Sequence, residues 1–243
     1  MADSQLLDSP GRTLAWMRAG TERFEAAVRD LDPGAVTAPT RLAGWHRGHL
    51  ATHVARNADA LRNLLTWART GVETPMYPDA ERRAAQIEAG AGRPIAEQVA
   101  DLLRADASLA AAVSTMPDEA WTAPVRTAQG RPVPAAEVPW MRTREVWVHA
   151  VDLDTGCSFE DLPADLAEAL LADVVTGLAR RDGAPALVVA ATDGQGELTL
   201  PGQGHPVRVT GSRTRLLGWL TGREAGDALH AGPGSLPPLP AWL

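Results

Sequence analysis

The 243-residue sequence predicts an α+β protein in which a four-helix bundle is followed by a smaller α/β domain. Two observations support this fold class. In the first part of the chain, apolar residues recur at the spacing of long amphipathic helices. After about residue 156 the periodic segments become shorter, and short runs rich in Val and Leu alternate with them. The predicted domains are therefore 1–156 and 157–243.

Four long helices are predicted in the first domain, with approximate bounds of 10–31, 46–69, 94–115 and 134–151. Each carries an apolar stripe, as helices that bury one face do. A shorter helix is expected at 79–88, and the segment 121–133 is expected to form a hairpin around the turn residues Gln129 and Gly130. Bundles of this kind commonly hold metal sites between facing helices.

The second domain is predicted to combine two helices with short strands. One helix extends from Leu162 to about Arg181, and another covers Arg213 to Leu220. The strand-like runs are 186–191, 197–200 and 207–209. The tail from Gly232 to Leu243 is rich in Pro and Gly and is expected to be extended.

Composition excludes several classes of function. The net charge of −7 argues against a nucleic-acid-binding protein, which needs a basic face. No run of about 18 apolar residues is present, and the N-terminus lacks the features of a signal peptide, so we expect neither a membrane span nor secretion. The single cysteine, Cys157, excludes an internal disulfide and favours a reducing, cytoplasmic location. All 23 basic residues are Arg, so anions must be held by Arg, His or backbone amides.

A possible metal site begins with Glu145 and His149, which lie four residues apart and therefore on one helix face. Such a pair is also common as a surface salt bridge, so a third ligand is needed. His53, within the apolar stripe of the second helix, is the first choice, and His49 is a rival at this point. Two nitrogens and one carboxylate oxygen suit zinc with an open coordination position, and they also suit non-haem iron.

Other polar residues near these positions have candidate supporting roles. Asp152 shares the helix face of His149, and Asn57 lies one turn beyond His53. Both are candidates to hydrogen-bond to a metal ligand and orient it without binding the metal themselves. Cys157 is a conceivable nucleophile, but no His–Asp pattern accompanies it, and a structural role is favoured.

Several segments resemble the mycothiol-dependent maleylpyruvate isomerase family, which belongs to the DinB-like metal-binding bundles. Its second-helix motif is matched by Gly44-Trp45 and the stretch to Ala58, which contains His53. The other matching segments, spread over nearly the whole chain, are 71–77, 127–131, 140–153 and 240–243.

The resemblance implies zinc bound through His53, Glu145 and His149. It selects His53 over His49, because the family's ligand is the histidine eight positions after the tryptophan of the Gly-Trp pair. It also implies that the C-terminal domain is similar to sterol-carrier-like folds. The family's C-terminal Gly-Arg pair, implicated in activity, corresponds here to Gly222 and Arg223.

The activity implied by the resemblance is cis–trans isomerisation of maleylpyruvate to fumarylpyruvate in gentisate degradation, with mycothiol as cofactor. Addition of a thiolate to the conjugated alkene leaves a single bond that rotates, and elimination restores the alkene. Zinc would either activate the thiol or polarise the keto oxygen of the substrate, and the sequence leaves both roles open.

The small-molecule substrate is a dicarboxylate, and an arginine is the natural partner for a carboxylate. Arg223 is the first choice. Arg82, Arg142 and Arg144 are alternatives, but each is expected to be a solvated surface residue. Two alternative functions remain open on sequence grounds: a mycothiol S-transferase built on the same scaffold, and a metal-binding module without catalytic activity.

Overall fold

The computed structural model describes residues 10–232 and 234–242. The chain divides between Cys157 and Ser158 into two compact units. The first is dominated by helices and the second contains a four-stranded sheet, so the predicted α+β class is confirmed. The division lies beside the predicted boundary, and the independence of the two units as domains stays a prediction.

The N-terminal unit contains five helices in its described part, including all four predicted long helices. The fourth long helix begins later than predicted because Ala135–Glu137 forms a separate 3-10 turn before it. The helices are α1 (Pro10–Arg29), α2 (Arg47–Thr70), α3 (Ala80–Ala91), α4 (Ile95–Ser114) and α5 (Val138–Asp152).

Helix α2 lies at the centre of this unit and packs against α3, α4 and α5. Its apolar stripe is fully buried, as the spacing of Leu50, Val54 and Leu61 predicts. The helix ends at Gly71, whose φ of 71° is readily adopted only by a residue without a side chain. Burial of the stripe fixes the face of α2 that carries His53.

Helices α1 and α5 approach each other closely at Gly20. A Cβ atom at Gly20 would lie 2.5 Å from Nε1 of Trp147, so only glycine fits there without movement. The same Trp147 nitrogen donates a hydrogen bond to the carbonyl oxygen of Trp16, at 2.9 Å. This contact fixes α5, the helix that carries Glu145 and His149.

Hydrogen bonds join the segment before α2 to the end of α5. The backbone N–H of Arg41 donates to the carbonyl oxygen of Asp152, at 3.0 Å. The guanidinium of Arg47 donates to the carbonyl oxygens of Leu153 and Asp154, at 2.9 and 2.8 Å. These bonds connect the two regions from which the candidate ligands come.

The predicted hairpin is present as β1 (Pro124–Arg126) and β2 (Pro132–Pro134), paired antiparallel. Val125 faces Val133 across the pair and both are buried, whereas the flanking residues are not fully buried. The turn uses Gly130 at a φ of 79°, as the Gln-Gly sequence predicts.

The C-terminal unit is an α/β fold. Its elements are α6 (Ala164–Leu178), β3 (Pro185–Ala191), β4 (Leu198–Leu200), β5 (Gln203–Gly211), α7 (Arg213–Leu220) and β6 (His230–Ala231). The strands are ordered β4-β3-β5-β6, with β3 and β5 parallel and the two outer pairs antiparallel. Strand β5 is longer than predicted, and β6 was not predicted, because their exposed residues give no alternating apolar pattern.

The described part of the tail, 234–242, contains neither helix nor strand, while Pro233 and Leu243 lie outside the described residues. It is nevertheless anchored, because Trp242 is only 4% exposed and its carbonyl oxygen accepts a hydrogen bond from Arg181, at 2.6 Å. Within the described ranges, no helix has the length and apolar character needed to span a bilayer.

Candidate metal centre

Helices α2 and α5 bring His53, Glu145 and His149 together. Nε2 of His53 lies 3.1 Å from Oε2 of Glu145 and 3.2 Å from Nε2 of His149. Nε2 of His149 lies 3.3 Å from the same Glu145 oxygen. Both histidines are buried, whereas the Glu145 side chain is 24% exposed, so solvent reaches one side of the group.

The triangle formed by these three atoms has the size that a zinc ion requires. Tetrahedral zinc with bonds of about 2.0–2.2 Å places its ligand atoms about 3.3–3.6 Å apart. The observed separations of 3.1–3.3 Å are close to this range. The three residues therefore form a possible metal site that fits zinc.

Asp152 contacts Nδ1 of His149, the ring nitrogen that faces away from the site. Its Oδ2 lies 2.9 Å from Nδ1 of His149, and its side chain is completely buried. A carboxylate in this position fixes the ring so that Nε2 faces the site. The contact predicted for Asp152 is therefore geometrically present, although its role toward a metal stays a prediction.

The ionisation of the group follows from these contacts. Burial lowers the pKa of His149, but the hydrogen bonds to Asp152 and Glu145 outweigh it and raise the pKa to about 9. Burial raises the pKa of Glu145, but its hydrogen bonds to His149 and His53 hold that pKa well below its usual range. Burial lowers the pKa of His53. The group is thus a carboxylate with one imidazolium and one neutral imidazole, and a bound metal ion would displace the shared protons.

Two residues to which no role was assigned from the sequence adjoin the site. Nη2 of Arg83 lies 3.1 Å from Nδ1 of His53. The Arg83 guanidinium in turn lies over the ring of Tyr77, with 5.5 Å from Cζ to the ring centre. Arg83 carries no sequence signal, because it follows another arginine on a short, mostly exposed helix.

His49, the rival ligand, is occupied elsewhere. Its Nδ1 accepts a hydrogen bond from the backbone N–H of His46, and its Nε2 lies 3.1 Å from a carboxylate oxygen of Glu88. His46 itself caps the start of α2 by accepting from the N–H of Gly48. Both nitrogens of His49 therefore serve the helix start and α3.

The prediction that Arg142 is a solvated surface residue is wrong. Its side chain is entirely buried and ion-paired with Asp106 of α4. It also donates hydrogen bonds to the carbonyl oxygen of Val54 and to Oδ1 of Asn57, at 2.8 and 2.9 Å. Asn57 thus contacts Arg142, and its predicted support of the ligands stays a prediction. Arg82 is 74% exposed, as predicted.

Arg223 lies in the C-terminal unit, in the turn after α7. Gly222 adopts a φ of 75° there, and Nη1 of Arg223 donates to the carbonyl oxygen of Thr221, at 2.6 Å. Its predicted catalytic role stays a prediction. Cys157 is buried, and Nε of Arg23 donates a hydrogen bond to its sulfur at 3.1 Å, which agrees with a structural role.

Together these observations define a helical bundle with a possible metal site of two histidines and one carboxylate. Residues 17–154 match the profile of the family described as the mycothiol maleylpyruvate isomerase N-terminal domain. The chain therefore belongs to the mycothiol-dependent maleylpyruvate isomerase family, as the resemblance of its motifs suggested.

Two solved structures extend the similarity over both units. One is a mycothiol-dependent maleylpyruvate isomerase with 34% sequence identity to this chain, and the other is a histidine-to-alanine mutant of such an isomerase with 33% identity. Each comparison has a TM-score of 0.88 and covers 96% of this chain and 97% of the other. A search of curated proteins finds no significant match.

Proposed function

We propose that this protein is a mycothiol-dependent isomerase that converts maleylpyruvate to fumarylpyruvate. The observation that carries the proposal is the similarity, over 96% of the chain, to a solved isomerase of that description. The three converging donor atoms of His53, Glu145 and His149 support it, because they provide a site for the metal ion that we expect the reaction to need.

In this proposal the N-terminal unit supplies the metal ligands. His53 and His149 provide two nitrogens, Glu145 provides one oxygen, and Asp152 orients His149 through its Nδ1. Zinc bound there would lower the pKa of the mycothiol thiol or polarise the keto oxygen of the substrate. The fit of the donor atoms supports zinc, and the partly exposed Glu145 leaves a side open to small molecules.

Rotation about a conjugated double bond requires that its order be lowered, and reversible addition of a thiol achieves this. Cys157 is buried, which supports an external thiol as the reacting group. Arg223 is proposed to bind a substrate carboxylate as a charged, bidentate donor. We further propose that the protein acts in the reducing cytoplasm, without nucleic acid or membrane partners, in keeping with its net charge of −7.

An absorbance assay tests the activity. Purified protein loaded with zinc is mixed with maleylpyruvate and mycothiol, and we expect conversion to fumarylpyruvate. Glutathione in place of mycothiol is the comparison that defines the thiol requirement. No conversion with mycothiol under any metal condition would contradict the proposal.

Substitution tests the ligand set separately from activity. We expect His53→Ala to lose stoichiometric zinc after dialysis, because two ligands remain. His49→Ala is the matched control on the same helix and should retain zinc. Full zinc retention by His53→Ala would show that the three-ligand assignment is wrong.

Replacement of Arg223 tests the carboxylate partner. We expect Arg223→Ala to keep its zinc and to lose roughly 100-fold in kcat/KM, which corresponds to loss of a charged hydrogen-bonding pair. Unchanged kinetics would remove Arg223 from the mechanism.

A further inference from the structure

Arg83 is a cation beside the metal centre that the proposed function does not use. It lies in the first turn of α3 and is half-exposed, with its Nη2 atom 3.1 Å from Nδ1 of His53. The ring of Tyr77 lies beneath the guanidinium and limits where it can move. The positive charge is therefore held at the edge of the site.

The charge of Arg83 is not compensated by a carboxylate. Within residues 10–232 and 234–242, no Asp or Glu lies within ion-pair distance of its guanidinium. Two other arginines near it are paired with carboxylates, Arg56 with Asp101, at 2.8 Å, and the neighbouring Arg82 with Asp79, at 3.7 Å. Arg83 thus differs from them in facing a neutral ring.

The hydrogen bond between Arg83 and His53 is incompatible with a metal-bound His53. A guanidinium can only donate, so Nδ1 of His53 must accept, and the proton of the neutral ring then resides on Nε2. A metal ion binds through the lone pair of Nε2, so the proton must move from Nε2 to Nδ1. Two N–H groups would then face each other, and the Arg83 contact is lost.

The Nδ1 atoms of the two histidines therefore face groups of opposite hydrogen-bonding character. His149 donates its Nδ1–H to Asp152, which is the usual arrangement for a metal ligand. His53 instead faces a donor. Binding of the metal would free the Arg83 guanidinium to bind an anion at the same edge of the site.

A metal dication in this centre would be offset by the Glu145 and Asp152 carboxylates, which leaves little net charge to attract an anion. We propose that Arg83, supported by Tyr77, is a substrate-binding residue that clamps one carboxylate of a dicarboxylate once the metal is bound. The assignment rests on the proposed function for its substrate class. It is distinct from the role proposed for Arg223.

Binding of maleate, measured by calorimetry without any thiol, tests this assignment. Maleate is a cis dicarboxylate, and without thiol no isomerisation occurs, so the measurement does not depend on catalysis. We expect Arg83→Gln to weaken maleate binding to the zinc-loaded protein by about 10- to 100-fold, as for loss of a charged hydrogen bond. Arg82→Gln, the matched control one position earlier on α3, should bind maleate like the unmodified protein.

Two further measurements separate substrate binding from a structural role. The zinc affinity and melting temperature of Arg83→Gln should not fall, because the Arg83 contact is not needed in the loaded centre. Arg83→Lys should restore part of the maleate affinity, since it returns the charge without the bidentate geometry. In turnover, Arg83→Gln should raise KM for maleylpyruvate more than it lowers kcat.

Three results would overturn the assignment: equal maleate affinity in Arg83→Gln and the unmodified protein, an equal loss in Arg82→Gln, or no maleate binding to the zinc-loaded protein. Equal binding by the zinc-free protein would refute the link to the metal. If maleate binding depends on Arg83 but maleylpyruvate is not isomerised, the proposed function fails and the Arg83 site stands.

Discussion

At the residue scale, Arg142 is a fully buried charge of the N-terminal unit. Asp106 is its partner, and Oδ2 of Asp106 is buried without an N–H or hydroxyl donor among the described residues. The Glu25 carboxyl lies against Asp106, and burial together with the Asp106 charge raises the pKa of Glu25 to about 7. A proton on Glu25 can therefore be donated to the Asp106 carboxylate.

This pair makes stability depend on pH. The pKa of Glu25 is higher in the folded protein than its ordinary value of 4.5, so the folded state binds the proton more tightly. Its contribution is fully present below about pH 4.5 and is lost as pH rises through about 7. We expect Glu25→Gln, which cannot ionise, to raise the free energy of unfolding at about pH 8 by roughly 1–3 kcal/mol.

Urea unfolding at about pH 5 and pH 8 measures this effect. At the lower pH the variant and the unmodified protein should be nearly equal. Glu22→Gln, at an exposed position of the same helix, is the control and should show no such difference. A gain that is the same at both pH values would refute the shared proton.

The residues of the site were predictable only where one helix supplied the pattern. The four-residue spacing of Glu145 and His149, and the stripe around His53, lie within single helices. Arg142 was expected at the surface and Arg83 was assigned no role, because their partners lie on other segments of the chain. Spacing within one helix does not reveal which side chains of other segments will contact it.

At the scale of elements, the contact between α1 and α5 depends on the absence of a side chain at Gly20. Alanine is the better helix former by about 1 kcal/mol, but its Cβ would overlap the Trp147 ring. Overpacking of this kind typically costs about 1–3 kcal/mol. We therefore expect Gly20→Ala to destabilise the protein despite the gain in helix propensity.

Thermal unfolding compares this variant with Gly11→Ala. Gly11 is on the same helix and has open space around its Cα, so alanine there should leave the melting temperature unchanged or raise it. If Gly20→Ala is as stable as Gly11→Ala, the close approach of the two helices is not as described.

The helices and the hairpin followed from periodicity and turn residues, because each is a local property of the sequence. Strand β6 and the first half of β5 could not be predicted from such local properties. They are exposed, and their pairing depends on residues distant in the chain, such as Val209 with Ala231. Local patterns identify strands only where one face is buried.

At the scale of the whole molecule, all three candidate ligands belong to the N-terminal unit. Zinc should therefore stabilise that unit by about 4 kcal/mol when present at a thousandfold excess over its dissociation constant. If the two units are independent domains, calorimetry should show two transitions, of which zinc raises only one. A single transition that shifts as a whole would show that the units unfold together.

The hydrogen bonds from Arg41 and Arg47 to the end of α5 have a consequence for how a metal ion would enter the candidate site. Because these bonds join the ligand-bearing regions directly, we expect the N-terminal unit to fold before a metal ion binds, unlike a zinc finger. Metallation can then follow synthesis. If zinc is the bound ion, as proposed, protein made during zinc shortage would be folded but inactive, and zinc supplied later would activate it without new synthesis.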